Sequence, residues 1–123
     1  MRLLYLAHFL LELVLGGVKL KGSYSHLDLA SCSDGTAEAA AKFCRHHGVS
    51  LLAIAALGGI VLARRLTNTA TGEVVSLVLS LFHAGAVAVM VHASHWPVAA
   101  THAPFAIAFA WHAMAAPVGD KKR

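Results

Sequence analysis

Ionisable side chains lie inside otherwise apolar stretches of this sequence. Glu12 follows His8 by one helical turn in the first stretch, and His83 lies in a later stretch at a similar depth from its start. A carboxyl group within a membrane segment is costly, so it is expected to face protein and to have a partner. We expect Glu12 to meet His83, with His112 of the last stretch near the depth of His8. The favoured interpretation is a buried polar contact that orients the helices. The alternative is a pair of residues that handles a proton or binds a ligand.

Nine histidines are many for a chain of 123 residues, and they raise the question of a metal or a haem. A metal site needs three or four converging ligands, and no short motif of fixed spacing supplies them, so no metal is predicted. No cofactor is expected, and the alternative is haem b held between His8 and His83. His102, like the histidines near Trp96, is expected on the side of the membrane opposite the termini.

The sequence contains no arrangement of residues that is typical of catalysis. It has no serine elbow, no phosphate-binding glycine loop, no Cys–His nucleophile pattern and no paired carboxylates. We therefore predict that the protein is not an enzyme.

The two cysteines are Cys32 and Cys44, both before the second apolar stretch. Their spacing matches no zinc or thioredoxin motif. Two free thiols are the expected state. A disulfide between them, which an oxidising compartment would permit, is the alternative.

The composition indicates the environment in which these residues lie. Hydrophobic residues make up 58% and charged residues 13% of the chain, and the mean hydropathy is +0.67. Soluble domains carry about 25% charged residues, so this chain has too few to cover a globular surface, and disorder is excluded by the same figures. The net charge of +4 does not indicate nucleic-acid binding, because the basic residues flank apolar runs and form no patch. The chain is predicted to reside in a membrane.

Apolar segments of this length are predicted to be helices, because backbone groups in lipid must be satisfied within the segment. We predict a single all-α domain, a four-helix transmembrane bundle, with spans at about 3–18, 48–63, 74–91 and 98–116. The link 19–47 is expected to contain a helical lead-in at the membrane interface. Gly16 and Gly17 are expected to loosen the end of the first helix.

Four spans place both termini on the same side of the membrane. That side carries Arg2, Arg64, Arg65 and the basic residues 121–123, and the positive-inside tendency assigns it to the matrix or the cytoplasm. The expected location is the mitochondrial inner membrane, with a bacterial inner membrane as the alternative. The first segment is expected to be a retained span and not a signal peptide, because no small-residue cleavage site closely follows it.

Small residues recur at every fourth position of two predicted helices, a spacing that lets helices in lipid approach closely. The positions with this expected packing role are Ala55, Gly59, Ala63, Ser76, Ser80, Ala84 and Ala88. The fourth helix has an alanine face opposite a stripe of larger side chains. That stripe, which we expect to face lipid or a neighbouring subunit, consists of His102, Phe105, Phe109 and His112.

The segment Gly16-Gly17-Val18-Lys19-Leu20 resembles the Gly-x-x-Lys-Leu that often closes the first helix of DoxX-like small membrane proteins. Leu81-Phe82-His83 is loosely similar to the third helix of that family. DoxX-like proteins are four-helix bundles of similar length, so the resemblance implies the same fold. Because the family is functionally mixed, the resemblance implies little chemistry.

The predicted function is that of a non-catalytic accessory subunit of a larger membrane complex, of the respiratory-chain or ATP-synthase type. Its expected partners are other membrane subunits and membrane lipids, and nucleic acid is not among them. One alternative is a ligand-binding membrane protein that holds haem, quinone or lipid near His8, Glu12 and His83. Another is a stand-alone DoxX-like protein.

Overall fold

The structure, a computed structural model, describes residues 1–21 and 37–115, with side chains for 1–21 and 44–115. It contains four α-helices and no strand in the described part of the chain. Their bounds are Arg2–Leu20 for α1, Ala37–Ala63 for α2, Ala70–His92 for α3 and Trp96–Ala115 for α4. The predicted all-α, four-helix fold is confirmed.

Three of the helices contain segments long and apolar enough to cross a membrane, namely Arg2–Leu20, Cys44–Ala63 and Ala70–His92. The fourth helix has 20 residues and is not among these three candidates. Two histidines and two prolines lower its hydropathy. That α4 also spans the membrane stays a prediction.

The helices begin and end differently from the predicted spans. The first continues through Gly16 and Gly17 to Leu20, so these glycines do not loosen its end. The second begins at Ala37 and runs unbroken to Ala63, so the predicted interfacial lead-in is the first part of the same helix. A glycine inside a helix is tolerated where a close neighbour uses the space, and α2 provides that neighbour for Gly16.

The bundle consists of two antiparallel hairpins. In the first, a Cβ atom added to Gly48 would lie 2.9 Å from the carbonyl oxygen of Gly16, so the two backbones nearly touch. In the second, Ser80 Oγ donates to the carbonyl oxygen of Ala106 across the α3–α4 contact. The hairpins meet more sparsely, and among the described residues the backbones of the diagonal pair α1 and α3 do not approach each other closely. Long side chains fill the space between these two helices.

The link between the hairpins ends in a capped turn. Thr69 Oγ1 accepts a hydrogen bond from the backbone N–H of Gly72 at 3.3 Å, which satisfies one free donor at the start of α3. A side chain at Gly72 would overlap the carbonyl oxygen of Leu66, so this position requires glycine. The hydrophobic core lies next to this end of the bundle and is made of Tyr5, Val61, Leu79 and Phe109. Since Tyr5 of α1 contacts Phe109 of α4, the start of α1 and the end of α4 lie at the same end of the bundle.

Candidate functional site

A group of buried ionisable side chains lies between α1, α3 and α4. We call its four members, His8, Glu12, His83 and His102, the Glu12 cluster. His8, Glu12 and His83 have no solvent exposure, and His102 is half-buried. His8 Nε2 lies 3.9 Å from Glu12 Oε1, and His83 Nε2 lies 4.0 Å from the same oxygen. The cluster thus joins one turn of α1 to the middle of α3.

Most polar atoms in the cluster lack a hydrogen bond. Five buried atoms have no partner in the described part of the chain: both ring nitrogens of His8, both carboxylate oxygens of Glu12, and Nε2 of His83. Each such group costs about 1–3 kcal/mol, and native interiors contain few of them. The separations of 3.9 and 4.0 Å exceed the usual hydrogen-bond range of about 2.7–3.2 Å. The groups therefore face one another across a gap.

His102 of α4 binds the outer nitrogen of His83. The two Nδ1 atoms are 2.8 Å apart, so one ring donates and the other accepts. When His83 donates, its Nε2 carries the lone pair, because a neutral imidazole has one donor and one acceptor nitrogen. That lone pair is on the side of the ring where Glu12 lies.

His102 was expected on the side of the membrane opposite the termini, and it was not expected to join Glu12 and His83. The antiparallel register of α3 and α4 sets His102 opposite His83 instead. His83 lies ten residues before the start of the link 93–95, and His102 lies seven residues after its end. A histidine within three helical turns on each side of a short link is the signal in the sequence that would have found the pair.

Phenylalanine rings surround the histidines of the cluster. Phe105 stacks on His83 with ring centroids 5.2 Å apart, and Phe109 meets His8 edge-on at 5.2 Å. The stripe on α4 to which both phenylalanines belong therefore faces the interior, and its predicted orientation toward lipid or a partner is wrong. Both faces of α4 are apolar enough for either orientation, so hydrophobicity alone did not select the buried one. The aromatic rings hold the imidazoles in place and exclude polar neighbours.

A second polar network lies one level nearer the chain termini. Tyr5 Oη donates to the carbonyl oxygen of Gly72 at 2.9 Å and lies 2.7 Å from Ser76 Oγ. Ser76 Oγ in turn lies 2.7 Å from His112 Nδ1. His112, which was predicted near the depth of His8, is thus bound at the level of Tyr5 and does not join the Glu12 cluster. This network is closed by hydrogen bonds, unlike the cluster.

The small residues with a predicted packing role divide into two groups. Those that line contacts inside the chain are the buried Ala55, Ser76 and Ser80 and the half-buried Gly59. Those exposed on the outside of the chain are Ala63, Ala84 and Ala88. Residues four apart differ by about 40° around the helix axis, since a turn takes 3.6 residues. The third residue of such a stripe is therefore rotated by about 80° from the first and no longer faces the neighbouring helix. Ala63, Ala84 and Ala88 lie outside the helix contacts for this reason.

The contact face of α2 includes two glycines that the predicted every-fourth-residue pattern does not contain. Gly48 touches α1 at Gly16, and a Cβ atom on Gly58 would lie 3.4 Å from Nδ1 of His8. Gly58 therefore provides the space in which the His8 ring fits. With Leu51 and Ala55, which are also buried, these positions alternate in steps of three and four. That alternation follows the helical repeat.

A haem does not fit between His8 and His83. Their rings are in edge-to-face contact, with centroids 5.0 Å apart, so a porphyrin cannot lie between them. Phe105 and Phe109 pack against the same rings. The alternative of a haem b held by this pair is therefore not supported by the geometry.

A set of three metal-ligand side chains does converge, although the sequence analysis predicted none. One ligand atom each from His8, Glu12 and His83 lies within 4.8 Å of the others. The set has no short motif of fixed spacing, because its members come from two helices and Glu12 and His83 are 71 residues apart in the sequence.

Some predictions concern residues outside the described part of the chain. Cys44 is buried in α2, but Cys32 lies outside the described residues, so their pairing stays a prediction. The basic residues 121–123 lie outside it as well.

No protein-family model, curated protein or solved structure matches this chain. The resemblance to DoxX-like proteins accordingly stays a prediction, and the candidate function must come from the geometry of the site.

Proposed function

We propose that this protein is an integral membrane protein that binds a cation at the Glu12 cluster, in the centre of its bundle. The observation that carries the proposal is the convergence of one ligand atom each from His8, Glu12 and His83, within 4.8 Å of one another, in a cluster whose buried polar atoms lack hydrogen-bond partners among the described residues. Carboxylate oxygens and the lone pairs of neutral imidazoles are acceptors. Converging acceptors attract a cation and repel an anion.

The second polar network of the bundle supports a role beyond helix orientation. Tyr5, Ser76 and His112 are joined at 2.7 Å, which shows how this bundle forms a polar contact that is satisfied by protein alone. At the Glu12 cluster the distances from Glu12 Oε1 to His8 Nε2 and His83 Nε2 are 3.9 and 4.0 Å. A bound ion would satisfy the atoms that protein partners leave unpaired.

The position of the cluster also supports the proposal. Glu12 lies in the middle of α1, a helix apolar enough to cross a membrane. Ionisable residues at such depth are rare and typically mark ion or ligand sites. The half-buried His102 extends the cluster from the fully buried Glu12 toward the α3–α4 link.

The test is thermal unfolding of the detergent-solubilised protein and of Glu12→Gln. Each is measured in an acid series with chelator present and in a series of divalent metal chlorides at neutral pH. A ligand that binds only the folded state raises its stability by RT ln(1 + [L]/Kd), about 2.7 kcal/mol at a hundredfold excess over Kd. We expect protons or a metal to raise the Tm of the unmodified protein by several degrees, and Glu12→Gln to abolish the rise.

Glu73→Gln is the matched control, because Glu73 lies in the first turn of α3, away from the cluster. It should keep the cation response. If the Tm of the unmodified protein responds to neither protons nor metals, the cluster is a helix-orienting contact and the proposal fails.

We also propose an orientation, with the end that carries Arg2, Arg64 and Arg65 in the matrix or cytoplasm. The three arginines are exposed at the same end of the bundle, which supports a positive-inside arrangement. A mitochondrial inner membrane and a bacterial inner membrane are both compatible with it. Protease protection of a C-terminal tag in mitoplasts or spheroplasts tests the proposal. Cleavage of the tag from the outside would contradict it.

A second candidate function is that of an accessory subunit in a respiratory-chain or ATP-synthase complex. The observation that favours it is the small, exposed face of α3 formed by Ala84, Gly85 and Ala88, since small residues let a neighbouring helix approach in lipid. An open apolar groove of about 800 Å³ between α1 and α4 offers further surface. Native size in mild detergent, with mass spectrometry of the companions, tests this candidate. Migration as a monomer or a small homo-oligomer would exclude it and favour a stand-alone protein of the DoxX-like kind.

A further inference from the structure

We infer that the cation is a divalent transition metal of the zinc class, bound by His8 Nε2, the Glu12 carboxylate and His83 Nε2. The inference rests on the proposed function and specifies its ligand. Its support is the chemistry and spacing of the three donor side chains and the contacts that neighbouring residues make with them.

The spacing of the three donors suits an ion of this size. One ligand atom from each residue lies within 4.8 Å of the others, and both imidazole nitrogens face the same carboxylate oxygen. Around a tetrahedral zinc ion, with ligand distances near 2.0–2.2 Å, neighbouring donors are about 3.4 Å apart. The observed separations of 3.9 and 4.0 Å between each imidazole nitrogen and the carboxylate oxygen exceed that spacing by about half an ångström. Metal binding therefore requires the three side chains, including the two histidines, which lie within 4.8 Å of each other, to move closer together.

The chemistry of the donors selects the class of metal. Two imidazole nitrogens with one carboxylate suit zinc and its neighbours among the first-row transition metals, whereas calcium and magnesium prefer oxygen donors only. Three protein ligands leave one tetrahedral position for water or another small ligand. His8, Glu12 and His83 thus form the kind of open site found where a metal also acts on a ligand.

The surroundings of the donors act as an outer shell. His83 Nδ1 is hydrogen-bonded to His102 at 2.8 Å, and metal-bound histidines usually donate their second ring nitrogen to an acceptor. When His83 is the donor in this bond, its Nε2 lone pair faces Glu12. Phe105 and Phe109 pack against the rings of both ligand histidines and hold them. His102 is therefore a positioning residue, because it acts through His83.

The experiment measures metal in the full-length protein purified in detergent. Metal content is determined as isolated, and Co²⁺ is then titrated into chelator-treated protein, since Co²⁺ in a tetrahedral site gives a visible spectrum. We expect one zinc-class ion per chain and saturable, tetrahedral Co²⁺ binding that Zn²⁺ displaces and excess Mg²⁺ does not. These measurements on the unmodified protein require no variant to fold.

Variants then assign the ligands. His83→Ala and Glu12→Gln should abolish the tetrahedral spectrum. His102→Ala should keep it but weaken Co²⁺ binding by about 10–100-fold, as loss of an outer-shell partner does. The matched control is His112→Ala, which removes another buried histidine of the same bundle, one bound to Ser76. It should bind Co²⁺ like the unmodified protein.

The outcomes separate this inference from the proposed function. If the Tm responds to acid while the unmodified protein binds neither zinc nor cobalt, the site holds a proton, and only the metal inference fails. If the Tm of the protein responds to neither protons nor metals, both the metal inference and the proposed function fail. If Glu12→Gln and His83→Ala bind Co²⁺ as well as the control His112→Ala does, the metal lies elsewhere and the assignment is overturned.

Discussion

At the scale of residues, interatomic distance separates two kinds of polar contact in one bundle. Ser76 Oγ lies 2.7 Å from both Tyr5 Oη and His112 Nδ1, so each group has a hydrogen-bonded partner. The corresponding gaps at Glu12 are 3.9 and 4.0 Å. We interpret the closed network as structural and the open cluster as a site, because only the open one has unsatisfied atoms for a ligand.

Ser76→Ala should destabilise the protein without changing the site. The substitution removes the hydroxyl that joins Tyr5 to His112, and hydrogen bonds between membrane helices contribute about 0.6 kcal/mol on average and up to about 1.7. We expect a loss of stability of that size, measured by unfolding in detergent, with Co²⁺ affinity unchanged. Ser50→Ala is the control, since Ser50 is exposed and its hydroxyl donates to the carbonyl oxygen of His46 in its own helix. A weaker Co²⁺ affinity in Ser76→Ala would show that the two networks are coupled.

At the scale of elements, α1 and α2 approach closely because glycines face each other. A Cβ atom on Gly48 would lie 2.9 Å from the Gly16 carbonyl oxygen and from the Leu20 nitrogen. Both of these atoms belong to backbone, which cannot rotate away. The same contact sets the position of Glu12 and His8, because they lie on α1 one and two turns from Gly16, respectively, on the buried face.

Gly48→Ala should therefore force α1 and α2 apart. Overpacking of this kind costs about 1–3 kcal/mol, which exceeds the gain of about 1 kcal/mol that alanine brings to a helix over glycine. We expect a net loss of stability in a thermal unfolding measurement. Gly17→Ala is the matched control, because a Cβ atom there would meet nothing within 4 Å, and it should leave the Tm unchanged or raise it. Equal effects of the two substitutions would show that the Gly16–Gly48 contact is not tight.

At the scale of the whole molecule, the two hairpins depend on each other through buried side chains. Tyr5 and Glu12 of α1 reach His112 and His83 of the other hairpin, although the α1 and α3 backbones stay apart. α4 contributes His102 and His112 to this interior, which lowers its own hydropathy. Its stability in the membrane thus depends on α3, which binds both histidines.

α4 should insert into a membrane poorly by itself. It carries two histidines and is not among the three candidate spans, and ionisable residues are costly in an isolated membrane segment. In a glycosylation-mapping assay we expect Ala70–His92 to insert alone and Trp96–Ala115 to insert efficiently only when that helix precedes it. Efficient insertion of α4 alone would contradict the dependence on α3.

The outline of the fold and part of the site were predictable from the sequence. Composition and the apolar segments establish four helices, because lipid permits no other way to satisfy the backbone of such segments. The matched depth of Glu12 and His83 also follows, since depth along a helix is proportional to residue number. The membership of His102 and the separate position of His112 did not follow.

The sequence by itself therefore determined the local properties of the chain, namely the helices, their apolar character and the depth of each polar residue along its helix. Only the tertiary structure decided the rotation of each helix about its axis. That rotation buried Phe109, left Ala84 and Ala88 outside, and set His102 against His83. The physical reason is that these helices are apolar on every face, so hydrophobicity does not choose the buried one. The choice comes from shape, through glycine contacts such as Gly16–Gly48, and from the pairing of polar groups across helices far apart in the sequence.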